Sequence, residues 1–535
     1  MDKAGIGNSS VTGPALKQLL KDILTGDELI LDASSRALLS HDIASGEAVA
    51  EIVVRPTSIE SLSNAVALAA KANFSLIPRG SGHSYSGGIV PDRTQSMVVD
   101  TSALDQVIEI NQKNRFVRVQ AGCTWAALLA AVEPLGYRTP FFGPLSGYAS
   151  TIGGALSQRA TFFGSAMHGF SDKSVIGQTI VLADGRILRI GIGHDGQPHP
   201  QPGGPDVGPL FLGDCGAMGI KVEATLRLTD RPGAEVFASF AYPDMAALLR
   251  AQNDLCGIDG IAECFGFDRQ ANINLAKGGF DFFEGAEIVT DVLRQSGSKR
   301  QRLGRAAQLF RDGRRTVAQL HGSLHICLEG ETETHACERL AKASSIALRH
   351  GGEAIPDTIP RVTRSRPFRP IKALLGPEGE RWLPLHGIFR LSDVPEAYTA
   401  LAAALADRRE ELASQQIMVS LLTVTSGDAI VIEPHLFWPD GLHQFHRHHV
   451  TDDQLRRYGD LPDKPELRAI AHALRRELGN ILYEAGAEHL QIGRHYHYQQ
   501  DMDPVRLELL LALKRHVDPD GIMAPGVLFT ENNTK

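Results

Sequence analysis

Residues 78–88 read Pro78-Arg79-Gly80-Ser81-Gly82-His83-Ser84-Tyr85-Ser86-Gly87-Gly88. Four glycines and three serines leave little side-chain bulk over this stretch. Glycine takes positive φ without penalty and lets a ligand approach the main chain. Successive N–H groups in such a turn form a concave anion nest, a shape suited to a diphosphate. His83 is the side chain here with easily used nucleophilic nitrogens. A glycine-rich turn alone is weak evidence of a site, so the flanking segments decide.

Those segments set the loop in an alternating pattern. Residues 50–56 read as a short strand ended by Pro56, and 58–73 as a helix with Ser58 at its N-cap and Glu60 in its first turn. Residues 74–77 then read as a strand that runs directly into the loop. The β-branched runs 97–100, 107–110 and 116–120 predict further strands. Thr124 is placed to cap a helix over 125–133. A second small-residue segment, 143–157, carries Ser150, Ile152, Gly153, Gly154 and Ser157, and again suits close contact with a polar ligand. Residues 174–190 predict a hairpin turning at Asp184-Gly185. Gly219 and Ile220 lead into a strand over 221–228.

A chain of 535 residues is too long for one compact core, so at least two domains are expected. Beyond residue 233 the pattern changes. Strand-like runs (235–241, 317–328, 382–391, 416–424, 429–437) alternate with long helices (245–256, 332–350, 394–414, 465–485), which predicts an antiparallel sheet covered by helices. A last helix is expected over 504–516. The boundaries so read are 1–232, 233–490 and 491–535, within an α+β fold.

The net charge of −8 argues against non-specific nucleic-acid binding. Residues 299–315 are strongly basic and read as a solvated helix face. The six cysteines form no C-x-x-C pair and read as reduced, buried thiols. The first residues lack a signal-peptide core, and no apolar run reaches the length of about 18–20 residues that spans a bilayer. The cytoplasm is the expected compartment.

Five motifs in order, PRGSGHSYSGG, STIGGALS, the VLADGRIL hairpin, GAMGIKVEATLRL and VDPDGIMAPG, make nearly the whole chain resemble the vanillyl-alcohol oxidase/p-cresol methylhydroxylase flavoproteins. The second half resembles the FAD-linked oxidase C-terminal domain. The resemblance implies a two-subdomain FAD-binding domain, a cap domain on a large antiparallel sheet, and a tail returning to the flavin domain. It places Arg79, Gly80, Ser81, Gly82, His83, Ser84 and Gly88 at the pyrophosphate. Ser150, Ile152, Gly153, Gly154 and Ser157 would line the next stretch of FAD, and Gly219 and Ile220 the adenine side. Several members link the histidine after R-G-x-G covalently to the flavin; His83 either does so or only hydrogen-bonds the cofactor.

Enzymes of this type move a hydride from carbon to flavin N5 while a base takes a hydroxyl proton. The richest candidate cluster is Arg494, His495, Tyr496, His497 and Tyr498. An extended backbone would point Arg494, Tyr496 and Tyr498 one way and His495 and His497 the other. The tail looks like that of phenol-oxidising members, but Gly493 stands where their tyrosine precedes the arginine. Glu488-His489-Leu490 and Glu433-Pro434-His435 match the motifs of 2-hydroxy-acid members only loosely. His443, His446, His448 and His449 read as an exposed loop, and no metal site is expected. Tyr148, Phe162, Phe163 and Trp382 read as packing residues or pocket walls, with packing the default. The expected activity is dehydrogenation of a small aromatic or alkyl alcohol. The alternatives are a D-2-hydroxy-acid dehydrogenase, with Arg366, Arg369 or Arg494 holding the carboxylate, and a non-catalytic flavin-binding protein. Oxygen or an electron-transfer protein would reoxidise the flavin, and a homodimer fits the resemblance.

Overall fold

The computed structural model describes residues 12–44, 46, 48–200, 203–277, 317–368, 374–459 and 461–529. The basic stretch 299–315 and Arg369 lie outside the described residues. Three principal sheets organise the fold. A four-stranded sheet runs Leu29–Ile30, Ile52–Val54, Ser96–Asp100, Ser75–Arg79. Its last three strands are parallel, and the helix Ile59–Lys71 is the crossover that parallel pairing requires. Ser58 caps that helix, accepting from Ser61 N–H at 3.0 Å. A five-stranded antiparallel sheet runs Val107–Asn111, Phe116–Gln120, Ile220–Arg227, Val175–Val181, Ile187–Ile190. It contains the expected hairpin, with Val181 opposite Ile187.

The third sheet is antiparallel and larger, ordered Glu353–Ile355, Ala234–Tyr242, Gly322–Gly330, Ile261–Asp268, Met418–Ser426, Ala429–Trp438, Arg381–Pro384. Gly387–Arg390 also pairs with Ala429–Trp438. Two elements differ from the sequence reading. The run 382–391 is broken at Leu385-His386 into two strands, and both pair with the same neighbour. Ile261–Asp268 lies near the middle of the sheet although the sequence reading passed over it. It is buried nearly throughout, so it lacks the polar alternation that marks a half-exposed strand.

The tail returns to the first sheet. Leu76 N–H donates to Ile522 O at 2.7 Å and Ala524 N–H to Leu76 O at 2.8 Å. Lys514 Nζ donates to Ala217 O at 2.6 Å. The sheets also meet across a buried ionic cluster. Arg138 and Arg364 share Glu329, and Arg364 also pairs with Glu263 and Glu235. Phe142 lies between the two guanidiniums, at 4.9 and 4.7 Å. Glu263 accepts from Gly164 N–H at 2.8 Å, which fixes the segment carrying Thr161 and Phe162. Among the described residues no helix is long and apolar enough to cross a membrane.

Candidate active site

The glycine-rich bend leaves the strand Ser75–Arg79 with Gly82 at φ +84°. Among the described residues, no protein acceptor takes the N–H groups of Gly80, Ser81, Gly82 or His83. Four consecutive free donors are what an anion nest requires. A Cβ at Gly80 would meet Thr151 Oγ1 at 2.4 Å, so the bend abuts the start of the helix Ile152–Gln158, which Thr151 caps through Gly154 N–H. The hydroxyls of Ser84 and Ser86, and Nε2 of His83, are buried without a partner. This cradle fits the diphosphate and flavin end of FAD: Gly80–Ser84 would hold the former and His83 face the latter.

Other candidates have different roles here. Arg79 turns its guanidinium to His41 O at 2.6 Å. Ser157 Oγ donates to Gly153 O within the helix, and the N–H groups of Ile152 and Gly153 already pair with Cys123 and Ala121. Gly88 lies 3.3 Å, measured from an added Cβ, from Gly493 Cα, and one at Gly219 would meet Ile180 at 2.6 Å. Ile220 is buried opposite Val181. Gly82→Ala forces a side chain into left-handed backbone and against Arg79 Nη2 at 2.0 Å. The flavin-to-protein ratio of the purified variant should fall roughly five- to thirtyfold, the factor that about 1–2 kcal/mol of strain is worth.

A cavity of about 180 Å³ opens beside His83. One wall comes from the chain around His83, Tyr85, Tyr148, Thr161 and Phe162. The other is one face of the large sheet. Val431, Glu433, His435 and Phe437 take alternate positions on Ala429–Trp438 and all reach the cavity. Leu422 and Val424, opposite Glu433 and Val431, extend that face. Trp382, Tyr148 and Phe162, expected as packing, are lining residues, whereas Phe163 is fully buried. Glu433 Oε1 lies 3.5 Å from His435 Nε2.

Behind this wall sits a buried polar group. His386 Nε2–H donates to Leu490 O at 2.5 Å, and its backbone N–H donates to Tyr496 Oη at 2.9 Å. That leaves Nδ1 to accept from the Tyr496 hydroxyl at 3.2 Å. Burial holds the imidazole neutral, well below its ordinary pKa. Tyr85 accepts from Gln491 Nε2 at 3.1 Å, and Arg475 lies 5.6 Å over the Tyr85 ring. Arg475 is buried, donates to Pro384 O at 3.0 Å, and has no carboxylate partner among the described residues. Burial raises the phenol pKa of both Tyr85 and Tyr496, the latter to about 12.

The segment 494–498 is a turn, with the N–H groups of His495 and Tyr496 both directed to Ile492 O at 3.2 Å. Gly493 at φ +56° starts the turn, so the alternation expected of an extended strand does not occur. Arg494 clamps the carbonyls of Gly87, Val90 and Pro525. His495 is mostly buried behind Tyr496. His497 is exposed and bonded to Asn480, and Tyr498 packs on Phe529. Of the five, Tyr496 alone bonds to a residue lining the cavity. Of the histidines expected in an exposed loop, His446, His448 and His449 lie on a helix, Gln444–His449, which His443 precedes; His446 is fully buried and His449 lies 4.8 Å from His83. Among the described residues no group of three or more His, Cys, Asp or Glu side chains is placed to hold a metal.

A family model described as an FAD binding domain matches residues 50–191. Over nearly its whole length the chain has the fold of p-cresol methylhydroxylase. A solved p-cresol methylhydroxylase with substrate bound superposes with a TM-score of 0.72 at 14% identity, covering 98% of both chains. A glycolate oxidase subunit from Bacillus subtilis is 27% identical over 46% of this chain and 51% of its own length. A probable mitochondrial D-lactate dehydrogenase from Danio rerio is 22% identical over 91% of this chain and 86% of its own. The chain thus spans about half the length of the glycolate oxidase subunit it matches. The cofactor of the matched domain is FAD, in accord with the free donors of the bend.

Proposed function

We propose that this flavoprotein dehydrogenates a small aromatic or alkyl alcohol. The observation that carries this reading is the cavity wall. It is largely apolar, contains no lysine or arginine among the described residues, and presents Glu433 and His435 side by side. A neutral alcohol fits such a wall; a carboxylate substrate would ask for a cation there. FAD bound in the cradle supplies the two-electron acceptor for a hydride. Glu433 takes the hydroxyl proton, with His435 beside it. Trp382 and Phe162 hold the hydrocarbon body and exclude water. Tyr85, with Arg475 behind it, stabilises negative charge that develops on oxygen. A tyrosine beside an arginine, missing from the tail at Gly493, is thereby restored from two other segments.

Anaerobic addition of benzylic alcohols should bleach the flavin, and D-lactate should not. Bleaching by D-lactate alone would reverse this order and favour the hydroxy-acid reading, which the curated relatives' names support. His83 supports a covalent link to the flavin. Burial, with His449 and Arg79 nearby, lowers its pKa to about 3, so the ring is neutral, and its Nε2 is without a protein partner. Acid-precipitated protein should keep its yellow colour in the pellet, and His83→Ala should release it to the supernatant. A colourless pellet from the unaltered protein removes the link.

A further inference from the structure

Asn274 stands on the short helix Arg269–Ala276, whose first turn is capped by Asp268 through Ala271 N–H. It lines the cavity beside Leu422 and Phe162 and is only 4% exposed. Its amide orientation is set from behind. Gln270 Nε2 donates to Asn274 Oδ1 at 2.9 Å, which identifies the carbonyl end and leaves the NH2 group on the other side. That Nδ2 is buried and has no acceptor. A second cavity amide has the complementary defect. Gln491 Nε2 is engaged with Tyr85, while its Oε1 is buried with no donor. A buried amide group without a partner costs free energy unless a ligand or water completes it. The two amides therefore ask for an acceptor at Asn274 and a donor at Gln491. With the reacting hydroxyl held at Glu433 and Tyr85, a second oxygen on the substrate is the acceptor that Asn274 lacks.

We propose that Asn274 is a specificity residue, and that the substrate is an alcohol carrying a second, acceptor oxygen, an ether or a carbonyl, that takes its amide N–H. This inference rests on the cavity being the alcohol site. The sequence concealed Asn274 because asparagine on a helix near a sheet reads as a solvent-facing residue, and only the Gln270 contact orients it.

The test uses shape-matched ligand pairs on the holoprotein: meta- and para-acetylbenzyl alcohol against the corresponding isopropenylbenzyl alcohols. Each pair exchanges C=O for C=CH2 at nearly constant volume. Binding is read from perturbation of the flavin spectrum, and chemistry separately from anaerobic bleaching. At least one acetyl compound should bind about tenfold more tightly than its partner, as a hydrogen bond to a buried donor implies. Asn274→Leu should reduce that ratio to about twofold. Asn274→Gln, which retains an amide, should recover part of the preference. Equal binding within both pairs, or a preference that survives Asn274→Leu, overturns the inference, as does a failure of all four to bind. Preferential binding lost in Asn274→Leu without any bleaching upholds the role of Asn274 while rejecting alcohol dehydrogenation.

Discussion

Glu433→Gln should slow anaerobic flavin bleaching by an alcohol substrate about 10²- to 10⁴-fold, the range a positioned general base contributes. Substrate affinity should change only a few-fold, because glutamine keeps the shape and a hydrogen-bonding oxygen. The expectation follows from elimination among the carboxylate, imidazole and fully buried phenol side chains that line the cavity. Tyr85 has its phenol pKa raised well above the ordinary value by burial, so at neutral pH it is a donor. His386 is neutral, but its Nε2–H is committed to Leu490 and its Nδ1 accepts from Tyr496. His83 belongs with the cofactor cradle. Glu433 and His435 remain, 3.5 Å apart on one strand face. A bleaching rate for Glu433→Gln within about threefold of the unaltered protein would transfer the role to His435, whose replacement by Asn would then carry the loss.

The frame of the protein could be read from its sequence because local signals agreed with the packing. The parallel unit around Ser75–Arg79 follows from Ser58, a β-branched strand and a glycine bend, each acting over a few residues. The hairpin follows from Asp184-Gly185. The cavity was less legible, since its groups come from segments far apart in the chain. Glu433 and His435 form only a loose motif in the sequence, although their spacing on a strand with Val431 and Phe437 puts all four on one face. Arg475 left a clear but unread sign. It falls on the buried stripe Ala471, Leu474, Leu478, Leu482 of the helix Pro465–Glu484, where a charge is out of place unless it serves something. Arg494 misled for the opposite reason. A conspicuous arginine in a cluster of aromatic and histidine residues is here a clamp on three carbonyls. Nothing in its immediate sequence distinguishes a clamp from a ligand-binding arginine.

On acidification the holoprotein should unfold cooperatively between about pH 6 and pH 5, well above the range in which carboxylates titrate. Ten of its 20 histidines have pKa values lowered in the folded state, burial being the first cause in every case. His83, His325 and His443 fall to about 3, and His449, His472 and His489 to about 4. His446 has neither ring nitrogen partnered, and Arg381 and His443 lie close to it. These groups are neutral when folded and titrate near 6.5 when the chain is unfolded. Below that value the unfolded chain binds more protons, so stability is complete above pH 6.5 and declines as the pH falls toward the folded values. Each such histidine removes about 1.4 kcal/mol per pH unit. If only four respond fully, one unit removes about 5 kcal/mol, the lower end of the stability of an ordinary domain. Burial also raises the carboxyl pKa of Glu263, and that of Asp268 to about 6. Those two act in the opposite sense, favouring the fold as pH falls, and two groups do not balance ten. Tryptophan fluorescence between pH 8 and pH 4 reads the midpoint. His446→Leu should lower it by a few tenths of a pH unit by removing one buried site that must stay unprotonated, and a native signal persisting below pH 4 would show that the buried histidines do not set the acid limit of the fold.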